Sequence, residues 1–77
     1  MKYFVEFVVS ALVDKPDEVQ IEESGDSSRT TLNIEVNPGD VGRVIGKKGR
    51  TIQAIRNIVG AAAQIKNCTM LVEIRDR

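Results

Sequence analysis

The sequence lacks histidine and tryptophan, and it contains a single cysteine, Cys68. One cysteine cannot form an internal disulfide. Without histidine, the chain cannot supply a Ser-His-Asp triad, a Cys-His pair or the usual closed zinc site. These absences exclude the commonest hydrolytic and zinc-dependent chemistries. We therefore predict a protein that is not an enzyme, with no catalytic residue, no metal and no cofactor.

Long hydrophobic segments are also missing. The longest apolar run near the start, residues 4–13, is interrupted by Glu6 and Ser10, and it is much shorter than the roughly 20 residues that span a bilayer. The start of the chain also lacks the basic, apolar and small-residue regions of a secretory leader. These features predict a cytoplasmic protein without a membrane partner or a small-molecule substrate.

Acidic residues are absent from a long stretch in the second half of the chain. The 11 basic and 11 acidic residues cancel overall, which alone would argue against a nucleic-acid partner. Residues 1–40, however, contain nine acids and three bases, whereas residues 41–72 contain six bases and no acid. A charge run of this kind is usually a solvated helix face, but here it predicts a local positive field suited to an anionic partner.

The hydrophobic pattern predicts one domain with the element order helix, strand, strand, helix, helix, strand. The first helix is expected to bury Phe4, Phe7, Val8, Ala11 and Leu12, which share one side of a helical period. In the clearest strand, Leu32, Ile34 and Val36 alternate with polar residues, and Asp40 is placed to cap the short helix that follows. The predicted bounds are helix 2–14, weak strand 18–24, strand 29–36, short helix from 41 to the glycine loop, helix 50–65 and strand 69–75.

The most informative motif is Gly46-Lys47-Lys48-Gly49, which lies between two helical patterns. Two glycines let the backbone turn sharply and approach a ligand closely. A helix that starts just after Gly49 would direct free N–H groups and its positive dipole end to the same place as the lysines. The motif therefore predicts a phosphate-binding loop, with a tight turn that binds nothing as the alternative. A P-loop is excluded, because only three residues separate Gly42 from Gly46.

The loop and its flanks, Val44-Ile45-Gly46-Lys47-Lys48-Gly49-Arg50-Thr51-Ile52, resemble the signature of KH domains. The extra helix and strand precede the core, as in the type II arrangement of that α+β fold. The resemblance therefore implies a three-stranded mixed sheet with its helices on one face. It extends over the chain as a single KH domain at 1–77, with a core at 29–75 and an extension at 1–28. At this length the chain is similar to the small bacterial RNA-binding proteins of the KhpA (YlqC) family.

The motif and the resemblance together predict a groove for single-stranded RNA. Lys47 and Lys48 would contact successive phosphates, and nearby arginines would reinforce them, while glycines keep the short helix open and isoleucines offer an apolar floor to a base. Both isoleucines could instead be plain core. The predicted RNA-binding residues are Gly42, Arg43, Ile45, Gly46, Lys47, Lys48, Gly49, Arg50, Ile52 and Arg56.

Aromatic residues are scarce, and Tyr3, Phe4 and Phe7 all belong to the first helix. None is left for the groove, where each stacked base often contributes about 1–3 kcal/mol, so we expect weak binding that depends on a partner. Beside the apolar side that should face the sheet, the long helix carries a second apolar stripe. Either the first helix covers this stripe or a dimer uses it. Its members are Ala54, Ile58, Ala61 and Ile65.

The resemblance implies pairing with a second copy or with a larger KH protein of the Jag type, and roles in bacterial post-transcriptional regulation and cell elongation. The alternative from another class is a protein–protein interaction module in which RNA binding is vestigial or single-stranded DNA is bound. The paired lysines argue against a decayed site.

Overall fold

Six main elements follow one another along residues 1–76, the part of the chain that the computed structural model describes. They confirm the predicted α+β order. The elements are α1 (Lys2–Leu12), β1 (Gln20–Gly25), β2 (Arg29–Val36), α2 (Val41–Ile45), α3 (Arg50–Ile65) and β3 (Thr69–Asp76). Short 3-10 turns at Pro16–Glu18, Pro38–Asp40 and Lys47–Gly49 connect them.

The three strands form one mixed sheet in the order β1-β2-β3. β1 and β2 are an antiparallel hairpin in which Ile21 pairs with Ile34. β2 and β3 are parallel, with Leu32 opposite Val72. A parallel pair needs a long crossover, and α2, the glycine loop and α3 supply it. The loop therefore lies in the crossover that connects the two parallel strands, β2 and β3.

The core lies between the sheet and the helices. Leu32, Ile34 and Val36 of β2 are fully buried, as their alternation predicts, and each buried side chain of this size contributes about 1.5–3 kcal/mol. Aliphatic residues from every main element complete this core: Val5, Val9, Ile21, Val44, Ile52, Ile55, Val59 and Val72. On the other face of the sheet, Arg75 forms ion pairs with Glu22 and Glu35 and links all three strands.

The buried side of α1 differs from the prediction. Val5 and Val9 are fully buried, whereas Phe7 is 75% exposed and Tyr3 is 82% exposed. Apolar residues occupy both sides of this helix, so the hydrophobic period alone did not distinguish the two. The structure buries the compact valines against the sheet and leaves every aromatic residue of the chain at least partly in solvent.

Asp26 organises the hairpin between β1 and β2. Its carboxylate accepts hydrogen bonds from the Ser28 hydroxyl and from the backbone N–H groups of Ser28 and Arg29. The Ser28 hydroxyl bond is the largest of the contributions that lower the pKa of Asp26 below its ordinary value. Gly25 has φ +103°, and a Cβ there would overlap the carbonyl of Arg29. The hairpin therefore depends on this glycine and aspartate pair.

Candidate functional site

The glycine loop has an unusual backbone. α2 ends at Ile45 and is followed by Gly46, whose φ of 79° and ψ of 172° are accessible essentially to glycine alone. Lys48 (φ 57°, ψ 26°) and Gly49 (φ 72°, ψ 16°) then adopt two consecutive left-handed conformations before α3 begins at Arg50. The turn is closed by its own backbone, since the Gly49 N–H donates to the Gly46 carbonyl at 3.1 Å and the Arg50 N–H donates to the Lys47 carbonyl.

The two glycines of the loop serve different purposes. A Cβ on Gly46 would overlap Thr51 Oγ1 and would lie 2.9 Å from the Thr51 backbone nitrogen. Gly46 is therefore needed for the loop to pack against the start of α3. A Cβ on Gly49 would meet no atom within 4 Å. Gly49 thus gives the loop its left-handed turn and leaves its outer surface open.

Three cationic side chains around the loop are unengaged. Lys47, Lys48 and Arg50 are exposed, and none of them forms a side-chain hydrogen bond or ion pair with another residue between Met1 and Asp76. The first turn of α3 contains no acidic residue, and Gly49 offers no side chain to cap it. The positive end of a 16-residue helix and three free cations therefore meet at one place.

The other two predicted arginines are already bonded within the protein. Arg43 donates from one terminal nitrogen to Asp14 Oδ2 at 2.8 Å and from Nε to Asp40 Oδ1 at 3.2 Å. Arg56 Nε donates to the backbone carbonyl of Val72 in β3 at 3.1 Å. Each guanidinium therefore has part of its donor set occupied within the protein.

The apolar floor is divided between surface and core. Ile52 is 6% exposed and belongs to the core cluster, whereas Ile45 is partly buried and packs against its edge. Gly42 is exposed on α2, and a Cβ there would meet nothing within 4 Å. The structure thus brings Gly42, Ile45 and the loop together on one surface, while Ile52 supports that surface from below.

Asp40 does not cap α2 in the way that the sequence predicted. It occupies the N-cap position, but its side chain accepts no hydrogen bond from a backbone N–H of α2. Its carboxylate instead accepts from the backbone N–H groups of Asp14 and Lys15 and from Arg43. Burial alone would raise the pKa of Asp40, but these donors outweigh it and hold the pKa below its ordinary value. Sequence reasoning missed this role because the backbone donors are 25 and 26 residues away.

The second stripe of α3 is open to solvent. Ile58 is 51% exposed and Ile65 is 87% exposed, and the alanines at 54 and 61 are exposed beside them. The alternative in which α1 covers this stripe is therefore wrong. α1 packs on β1, on the turn at Pro16–Glu18 and on α2, so among residues 1–76 it does not cover the outer side of α3.

Comparison with known proteins agrees with this geometry. The family model described as "KhpA/KhpB, KH domain" matches residues 2–74, a range that includes the loop, β1, β2 and most of β3. The chain belongs to the KhpA/KhpB KH-domain family. The predicted family and the predicted type II KH fold are both confirmed.

Members of this family with closely similar sequences are named "RNA-binding protein KhpA". The protein of Clostridium perfringens is 45% identical over 74 residues, which cover 96% of this chain and 99% of that one. The protein of Halalkalibacterium halodurans is 42% identical over 76 residues, or 99% of this chain and 100% of its own. The Chlamydia trachomatis protein is 40% identical over 76 residues, or 99% and 97% of the two chains.

A search of solved structures found no match. Within residues 1–76, no helix combines the length and apolarity needed to cross a membrane. The same residues contain no group of three or more His, Cys, Asp or Glu side chains placed to hold a metal ion.

Proposed function

We propose that this chain binds single-stranded RNA, with the backbone phosphates held at the Gly46–Gly49 loop. The observation that carries the proposal is the group of free cations at Lys47, Lys48 and Arg50, at the uncapped start of α3. The two consecutive left-handed residues, Lys48 and Gly49, form the sharp turn that carries these side chains. Similarity to proteins named for RNA binding supports RNA as the polyanion.

The groove selects little by itself. Phosphate contacts position a strand without reading its sequence, and neither the loop nor its flanking helices α2 and α3 contain an aromatic residue. In this proposal a base rests on the exposed part of Ile45, and Ile52 supports it from the core. Arg43 makes a secondary phosphate contact through the terminal nitrogen that its bonds to Asp14 and Asp40 leave free. Arg56 makes another after exchange of its bond to the Val72 carbonyl.

The experiment compares two charge-matched double variants in an RNA-binding titration. Lys47→Asp with Lys48→Asp replaces two phosphate donors with repelling carboxylates, and we expect at least about a tenfold loss of affinity for a random-sequence RNA pool. The control, Lys2→Asp with Lys66→Asp, makes the same change in net charge away from the loop. Circular dichroism checks that both proteins are folded. Equal losses in the two proteins would leave only a general charge effect and would refute the loop assignment.

We also propose that the protein acts as a dimer through the exposed stripe of α3. Residues 54, 58, 61 and 65 are spaced by four, three and four, which is the seam of a helix pair. Alanine and isoleucine alternate along it, so the isoleucines of one copy can lie over the alanines of the other. A second copy or a larger KH protein could use the same seam.

The dimer should be weak, because four small side chains fall well short of the roughly 800 Å² per partner of a standard interface. Two linked weak RNA sites would still gain affinity through their effective concentration. Ile58→Asp should shift the sedimenting species toward monomer, and Gln64→Asp, on the polar side of the same helix, should not. If a dimeric parent stays dimeric with Ile58→Asp, this face is not the interface.

A further inference from the structure

Asp40 is the one buried charged side chain among residues 1–76, with 3% of its surface exposed, and the proposed RNA contacts do not use it. A carboxylate that is withdrawn from water needs hydrogen-bond donors to replace its hydration. Asp40 has three, and no buried side-chain polar atom of the described residues lacks a partner. The fold therefore maintains this carboxylate in one place at the base of α2.

The donors come from two separate segments. The backbone N–H of Asp14 lies 3.1 Å from Oδ1, and the N–H of Lys15 lies 3.1 Å from Oδ2, so the carboxylate holds the chain just after α1. Arg43, one turn along α2, donates to Oδ1 at 3.2 Å and also to the side chain of Asp14. These bonds join the start of α2 to the end of the α1 segment, and we call the group formed by Asp14, Lys15, Asp40 and Arg43 the Asp40 clamp.

α2 needs such an anchor because it is only five residues long. A helix of this length has no stability of its own, so its direction depends on what holds its ends. The Asp40 clamp holds the first end, and the packing of Gly46 against Thr51 holds the second. The Lys47 and Lys48 side chains follow directly, so a shift at the start of α2 moves the phosphate donors.

We propose that Asp40 is a positioning residue for RNA binding, which sets the direction of α2 and hence the place of the Gly46–Gly49 loop. This proposal rests on the proposed function of that loop. Asp40 touches no RNA in this account, and its negative charge acts against binding of a polyanion. By positioning the loop Asp40 should raise the RNA affinity, whereas its negative charge should lower it.

Asp40→Asn separates the two effects. Asparagine keeps the size of the side chain but turns one acceptor oxygen into an N–H donor, which then faces a donor of the clamp. Removing a negative charge should by itself strengthen RNA binding. If Asp40 positions the loop, binding of a random-sequence RNA pool should instead weaken, by roughly three- to tenfold.

The control is Ile21→Val in β1, a core change that lowers stability without touching the Asp40 clamp. Its Kd, corrected for the folded fraction, should stay within about twofold of the parent. Asp40→Glu keeps the charge but displaces the carboxylate by one methylene, and it should weaken binding as Asp40→Asn does. This second variant keeps the test available if the asparagine protein does not fold. Unchanged or tighter binding in the folded Asp40 variants would overturn the proposal.

Hydrogen exchange of the unaltered protein gives an independent measurement. Coupling between two sites is reciprocal, so RNA bound at the loop should slow exchange of the Asp14 and Lys15 amides more than that of the β1 amides. Equal slowing throughout would overturn the clamp.

The Lys47→Asp, Lys48→Asp protein is measured in parallel. If it retains RNA binding, the proposed function fails. If it loses binding while the Asp40 variants match Ile21→Val, only the positioning role fails.

Discussion

The loop glycines allow a sharp prediction, because the structure requires Gly46 and Gly49 for different reasons. Alanine at 46 would have to adopt a φ of 79° and ψ of 172°, which costs about 1–3 kcal/mol. It would also overlap Thr51, which adds about 1–3 kcal/mol by analogy with overpacked cores. We therefore expect Gly46→Ala to lower the free energy of unfolding by about 2–6 kcal/mol.

Alanine at 49 has only the left-handed backbone to accommodate, because nothing lies within 4 Å of its Cβ. That conformation costs about 1–2 kcal/mol. The free energy of unfolding of a domain of this size is about 4–12 kcal/mol. The Gly49→Ala protein should therefore fold normally, whereas the Gly46→Ala protein should be severely destabilised. In a small domain each kcal/mol corresponds to about 4–8 °C in Tm.

Gly60→Ala is the matched control. Gly60 lies inside α3, and its Cβ would also meet nothing within 4 Å. Since the helix interior suits alanine, this change should raise stability by about 0.5–1 kcal/mol. Urea and thermal denaturation followed by circular dichroism measure all three variants. A loss for Gly49→Ala as large as that for Gly46→Ala would refute the account of the loop.

Three further outcomes follow from the same structure. If two or three of the free cations neutralise phosphates, the logarithm of the RNA affinity should fall against the logarithm of the salt concentration with a slope of roughly −1.4 to −2.1. A flat dependence would contradict phosphate binding at the loop. The pKa of Asp40 is lowered, so its contribution to stability is present above the ordinary pKa of an aspartate and is lost as pH falls through the folded value. As the pH is lowered below about 4, the urea concentration at the unfolding midpoint should decrease more for the parent than for Asp40→Asn. Equal decreases in the two proteins would contradict this. In α1, Val9→Ala should cost about 2 kcal/mol and Phe7→Ala less than about 0.5, since only Val9 is buried; equal losses would restore the face that the sequence predicted.

Local patterns predicted much of this fold. The alternation of Leu32, Ile34 and Val36 identified the buried face of β2, and the glycines at 46 and 49 located the turn between the two helices. Both signals depend on residues close in sequence. The family resemblance added a three-stranded mixed sheet, and the structure then showed which strands are parallel, namely β2 and β3, a pairing that no local pattern specifies.

The remaining features depend on contacts between distant segments. The sequence of α1 is apolar on both sides, and only the shape of the space above the sheet decides that Val5 is buried and Phe7 is not. The ion pair between Arg43 and Asp14, which lies 29 residues earlier, could not be predicted from the charge pattern. For the same reason, Arg43, Arg50 and Arg56 were given one reinforcing role, although the structure leaves only Arg50 of the three without a side-chain bond to another described residue.

The measurement that tests the central claim most directly is an RNA titration followed by the amide resonances of the isotopically labelled protein. If the loop is the phosphate site, the amides of residues 46–50 should shift first and furthest, with smaller changes at Ile45 and along β3. Amides on the open face of the sheet, such as Asn33 and Glu35, should stay in place. The account is contradicted if RNA binds while the amides of residues 46–50 do not move.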